Sequence, residues 1–186
     1  MNYNGSTQTV GNYNYYHLTV SGSNTKTLQT GTTSIGGNFI IDNVTATAVA
    51  ALTIGGDVIL EQAFNFTSGT FTHNLAGNWT RNGWGTFTPG AGTINFTGNS
   101  SAINGTSANS QTFNNIIIAK TAGQTLSVGG SVTSLNVNGD FTLSSGVFAP
   151  GTIATVISGN WMNNGGSLTT GTGSITMNGS GKTIGG

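Results

Sequence analysis

Gly37-Asn38-Phe39-Ile40-Ile41-Asp42 is followed, at a step of 19, by Gly56-Asp57-Val58-Ile59-Leu60-Glu61. In both, glycine precedes Asn or Asp, and an apolar residue opens a short alternating run. The triplet returns as Gly77-Asn78-Trp79, as Gly139-Asp140-Phe141 and, at a step of 20, as Gly159-Asn160-Trp161. Gly11-Asn12-Tyr13 fits the pattern and Gly98-Asn99-Ser100 fits it loosely. A motif returning about every 20 residues marks a solenoid. The period is short for a two-helix repeat and suits one coil of a β-solenoid.

The flanking residues read as strand. Period-2 alternation runs through Val58-Ile59-Leu60, Ile94-Asn95-Phe96, Phe141-Thr142-Leu143 and Ile175-Thr176-Met177. Turn signals such as Asn82-Gly83, Pro89-Gly90 and Asn104-Gly105 separate the runs. The expected fold is all-β, a parallel β-helix (β-solenoid) with about 20 residues per turn and two or three strands in each coil. A sandwich also has many short strands, but has no need of one motif at every coil.

A longer period lies over the short one. Gly77 to Gly83 matches Gly159 to Gly165 at an offset of 82, and Phe87 to Ile94 matches Leu168 to Ile175 at 81. Tyr15-Tyr16-His17-Leu18-Thr19-Val20 matches Phe113-Asn114-Asn115-Ile116-Ile117-Ile118 at 98. Ile175 to Ser180 resembles both Met1 to Ser6 and Ile94 to Asn99. Residues 1–186 therefore read as a single repeat array, with long units at about 1–93 and 94–174 and the start of a third at 175–186. Neither end shows an atypical capping repeat.

In a parallel stack, equivalent residues lie about 4.8 Å apart. Phe39, Val58 and Trp79, then Phe141 and Trp161, are expected as inward columns. Asn38, Asp57, Asn78, Asp140 and Asn160 are expected to form polar ladders at turns, since side-chain amides can bond up and down a stack. Gly37, Gly56, Gly77, Gly139 and Gly159 would supply a backbone angle or a close approach that a Cβ would block.

Only eight of the 186 residues are charged, four of each sign, which is 4 % against about 25 % in an ordinary domain. A stack of near-identical turns sets like charges opposite each other, which is unfavourable. Four scattered cations cannot make a nucleic-acid interface. The absence of cysteine excludes disulfides and thiolate metal sites. No run approaches the 18 or so apolar residues of a membrane helix, and Met1 to Gly5 lacks the start of a secretory signal.

Gly77-Asn78-Trp79-Thr80-Arg81-Asn82-Gly83 with Gly85-Thr86-Phe87-Thr88-Pro89-Gly90 and Gly92 to Gly98, and again Gly159 to Gly186, resemble repeats in very large bacterial surface proteins. These are β-helical, adhesin-like or filament-like proteins of Bacteroidota and related phyla. The resemblance implies export and a structural or adhesive role at the cell surface. It brings no catalytic residue.

Material for chemistry is sparse. Asp57 and Asp140 stand where other turns carry asparagine. Asp42 and Glu61, 19 apart, could face each other on adjacent turns. His17 and His73 share no ligand spacing. Asn-x-Ser/Thr triplets such as Asn43-Val44-Thr45 and Asn99-Ser100-Ser101 could accept glycans on export, although so Asn- and Thr-rich a chain generates them by chance. Threonine pairs such as Thr70/Thr72 and Thr86/Thr88 hint at a flat ice-binding face, but are expected not to persist from turn to turn.

The resulting expectation is a structural protein, extracellular or at the cell surface, with no catalytic site, metal or cofactor. It is a β-solenoid subunit or segment of a filament, self-associating head to tail through exposed strand edges. A second reading is the stalk of a longer adhesin, stacked on neighbouring repeats of its own chain, with a separate binding tip. A third is a polysaccharide-active β-helix enzyme drawing on Asp42 and Glu61. Surface glycans are a further possible partner; nucleic acid and a membrane span are not expected.

Overall fold

A computed structural model describes residues 1–31 and 34–186. The chain is an all-β parallel β-solenoid of about nine turns at roughly 21 residues per turn. Each turn visits three faces. The first face is a nine-stranded sheet from Asn2–Tyr3 to Ser167–Thr170. The third is an eight-stranded sheet from Ser34–Ile35 to Ile184–Gly185. The second face is divided: five strands run from Gln8–Val10 to Thr86–Thr88, then four from Asn109–Phe113 to Ile175–Met177.

The alternation in the sequence becomes alternation in burial. Phe39–Asp42 and Val58–Glu61 bury every second residue, as does Asn115–Lys120, because successive Cβ atoms point to opposite faces of a strand. Corners need backbone that a continuing strand cannot supply. Where the first face turns into the second, Asn24, Asn43 and Gln62 take left-handed φ of 57°, 58° and 50° in three successive turns.

Parallel register stacks the interior in columns. On the first face Leu18 pairs with Phe39, Phe39 with Val58, Val58 with Trp79 and Trp79 with Ile103. On the third face Ile116 pairs with Phe141 and Phe141 with Trp161. The rings of Phe141 and Trp161 lie parallel at 4.7 Å. Phe39, Val58 and Trp79 thus share one column, and Phe141 and Trp161 share another on a different face.

The long sequence unit does not return to its starting face. Trp79 lies on the first face and its counterpart Trp161 on the third; Leu18 is on the first and Ile116 on the third. Ile94 is on the third and Ile175 on the second. Each copy is displaced by one face, a third of a turn. All three faces are short strands with alternate residues inward, so a copy needs only the order strand, corner, strand. The expected boundary at 93/94 falls inside the strand Thr93–Gly98.

At the break in the second face, backbone pairing stops but the interior continues. The Phe87 ring centroid lies 5.7 Å from that of Phe113, and Trp79 lies 4.6 and 5.1 Å from these two rings. Trp79 Nε1 donates to Gln111 Oε1, itself buried, at 3.2 Å. An aromatic cluster, with each pair contributing about 0.5–1.5 kcal/mol beyond burial, bridges the two parts of the rod.

Two of the four cations lie inside. Lys26 Nζ donates to the carbonyls of Gly5, Ser6 and Ser23 at 2.9, 2.6 and 2.7 Å, which uses all three ammonium protons. Lys120 Nζ donates to Thr97 O at 2.7 Å, to Ser101 Oγ at 2.6 Å and to Ala76 O at 3.4 Å. Burial lowers both pKa values, that of Lys120 to about 8.

Candidate functional site

The Asn/Asp positions form two ladders on two different corners. In the first, Asn38 Oδ1 accepts from Asp57 N at 3.0 Å, and Asp57 Oδ1 accepts from Asn78 N at 2.7 Å and Asn78 Nδ2 at 3.1 Å. Asn78 Oδ1 accepts from Ala102 N at 2.8 Å, where the run of polar side chains ends. In the second, Asp140 Oδ1 accepts from Asn160 N at 2.7 Å and Nδ2 at 3.0 Å, and Asn160 Oδ1 accepts from Thr183 N at 3.1 Å. The main bond is side-chain oxygen to the next turn's backbone N–H, with amide-to-carboxylate bonds added where Asp precedes Asn. Each rung satisfies a corner donor that the strands leave unpaired.

Two ladder members lie outside the triplets. His17 Nδ1 accepts from Asn38 N at 2.9 Å, and Asn115 Oδ1 accepts from Asp140 N at 2.8 Å. The alignment at an offset of 98 sets His17 against Asn115, so the signal was present without the preceding glycine. Gly98-Asn99-Ser100 supplies no rung: Gly98 turns a corner at φ 70°. In Gly11-Asn12-Tyr13 the Gly11 N–H is taken by Tyr3 Oη at 2.8 Å.

The ladder glycines serve close approach, since none of the five has positive φ. A Cβ on Gly77 would collide with Asp57 Oδ1 and with the Gly56 carbonyl. The carboxylate that forms one rung leaves no room for a side chain before the next.

Asp42 and Glu61 stand opposite each other in the register of adjacent strands. Glu61 Oε1 accepts from Asn82 Nδ2 at 2.8 Å, while Asp42 Oδ1 is buried without a partner. Among the described residues no three His, Cys, Asp or Glu side chains converge. His73 is buried: its Nδ1 accepts from Leu52 N at 3.1 Å and its Nε2 donates to Ser68 O at 2.8 Å. Burial lowers its pKa.

The two ends differ. In the first turns, Tyr3 and Tyr15 hydroxyls lie 2.8 Å apart, Tyr15 Oη donates to Gly11 O at 2.7 Å, and Lys26 fills the interior. This polar network departs from the expectation that neither end is atypical. At the last turns the interior is open and mostly apolar: Trp161, Leu168, Ile175, Met177 and Ile184, with Asn163, line a hollow of about 270 Å³, and Ile184 is 74 % exposed.

The expectation that threonine pairs lapse from turn to turn is overturned on the second face. Thr9 pairs with Thr27, Thr27 with Thr47, Thr47 with Thr67 and Thr67 with Thr88. Alongside, Thr25 pairs with Thr45, Thr45 with Asn65 and Asn65 with Thr86. The pair Thr70/Thr72 is different: Thr72 starts a third-face strand, whose column passes through Thr93 to Asn115.

The fold and these surfaces define the class: a three-faced parallel β-solenoid with corner ladders and an open apolar end. No protein-family model, no curated protein and no solved structure matches the chain.

Proposed function

We propose that this chain is a structural rod module, a β-solenoid segment of a bacterial surface filament, continued at its C-terminal end by a second copy of itself. The observation that carries this reading is the open end. There the last strand of each face presents an unpaired edge around the apolar hollow, and unpaired edges are templates for further strands. The first turns of a second copy present edges of the same parallel sense, with exposed Tyr13 and Tyr16 rings beside them. Zero formal net charge removes the usual repulsion between copies. The resemblance to bacterial surface repeats supports a place outside the cell, where self-association or surface glycans are the partners.

Electron microscopy and sedimentation of the purified chain test this. Rods in multiples of one module, about 40 Å at the strand spacing, are expected, and Leu168→Asp with Ile184→Asp should hold the chain at single modules. Dispersed single modules at every concentration contradict self-stacking. If one gene encodes many further repeats and the chain alone does not associate, the end is covered by the same polypeptide, as in an adhesin stalk.

A further inference from the structure

We infer that the second face of the first five turns is a binding surface for crystalline ice. The surface is a two-column lattice. Its members are Thr9, then Thr25 and Thr27, Thr45 and Thr47, Asn65 and Thr67, and Thr86 and Thr88. All point outward and are partly or fully exposed, while Lys26, Ala46, Phe66 and Phe87 between them point inward. Strand spacing sets the lattice at about 4.8 Å in one direction and alternate residues along a strand at about 6.6 Å in the other. Oxygen positions on the prism faces of hexagonal ice repeat on the same scale.

Three further observations point the same way. None of these threonine hydroxyls forms a hydrogen bond within the protein among the described residues, so each is free for water. Threonine is stiff at χ1, so hydroxyl and methyl groups are held in place beforehand and little freedom is lost on binding. No charged side chain occupies an outward position of these five strands, because Lys26 is turned inward; an ion would hold a hydration shell that does not fit a crystal.

The fold does not require this regularity. The four later strands of the second face carry mixed outward residues, with Ser110 on Ser134 on Ala154 and Thr112 on Asn136 on Val156, and a register shift at Asn109/Ser110. The five threonine-bearing strands pair without any shift. A crystalline polysaccharide is the other flat lattice, but its usual contact is a row of aromatic rings, and none of the nine lattice positions is aromatic.

The test observes single ice crystals growing in supercooled solutions of the full chain, and measures partition of the chain into ice. The wild type should facet the crystals and enter the ice. Thr47→Lys with Thr67→Lys should require at least about tenfold more protein for the same effect. Thr142→Lys, outward on the third face, should behave as wild type. Unshaped, rounded crystals with the wild type overturn the proposal whatever the variants do. So does an equal loss in Thr142→Lys, retained activity in the double variant, or binding to microcrystalline cellulose with no effect on ice.

Discussion

The second face holds five strands before its break and four after it, and the two parts use one repeated triplet differently. Before the break, the ladder His17, Asn38, Asp57, Asn78 stands at the corner leading into the first face, and the second face runs in unbroken register. After it, the ladder Asn115, Asp140, Asn160 stands at the corner leading into the third face. Register shifts there appear at Asn109/Ser110, Ile118/Ala119 and Phe148/Gly151. The ladder is therefore portable between corners. Inward columns and satisfied corner donors suffice for a solenoid, and an ordered outer surface is an additional property of one part.

The aromatic cluster at the break should be the most sensitive point. Trp79→Ala is expected to cost about 3–5 kcal/mol, because Trp79 is 1 % exposed and packs on Phe87 and Phe113. Trp161→Ala should cost less than half as much, since Trp161 packs on Phe141 and borders the open end. Urea denaturation of the two variants compares them directly; equal losses would mean that the end is packed as tightly as the junction.

The next effect is a dependence on pH. Lys120 has an ordinary pKa of 10.5 that burial lowers to about 8 in the fold. Between those values the unfolded chain binds the proton and the folded chain does not, so stability rises with pH across that window. Below about 8 both states are protonated and the penalty is constant. Lys120→Met should flatten the rise in melting temperature between pH 8 and 10; an unchanged slope would place its origin elsewhere.

Removing one ladder oxygen should cost less. Asn78→Ala leaves the Ala102 N–H without its acceptor, for about 1–3 kcal/mol. Asn160→Ala, at an exposed rung, should cost less because water can replace the lost bond. Equal losses by thermal denaturation would remove the distinction between the two ladders.

Smallest is the acid limb. His73 is held neutral between Leu52 N–H and Ser68 O, with its pKa below the usual 6.5. As pH falls through that usual value the unfolded chain takes the proton first, so stability declines. His73→Leu should remove this decline, read as melting temperature from pH 7 to 5.

The parallel solenoid and its period were legible because Gly-Asn-Phe and its relatives recur at almost constant steps. The partition into three faces was not. An offset of 82 matches Trp79 to Trp161 equally well whether a copy returns to its own face or to the next. The threonine lattice was hidden for a related reason: Thr25/Thr27, Thr45/Thr47, Asn65/Thr67 and Thr86/Thr88 become comparable only once register is known, and Thr70/Thr72 is a pair on another face. Lys26 and Lys120 read only as two of four scattered cations; both occupy inward positions of alternating strands. Their burial depends on carbonyls contributed by other turns, which local sequence does not display.

The most direct measurement is sedimentation velocity of the purified chain across a wide concentration range, with the Leu168→Asp, Ile184→Asp variant run beside it. Stacking through the open C-terminal end should give a ladder of species at whole multiples of the 18.8 kDa module, collapsing to one species in the variant. A single 18.8 kDa species at all concentrations, or oligomers that persist unchanged in the variant, would contradict it.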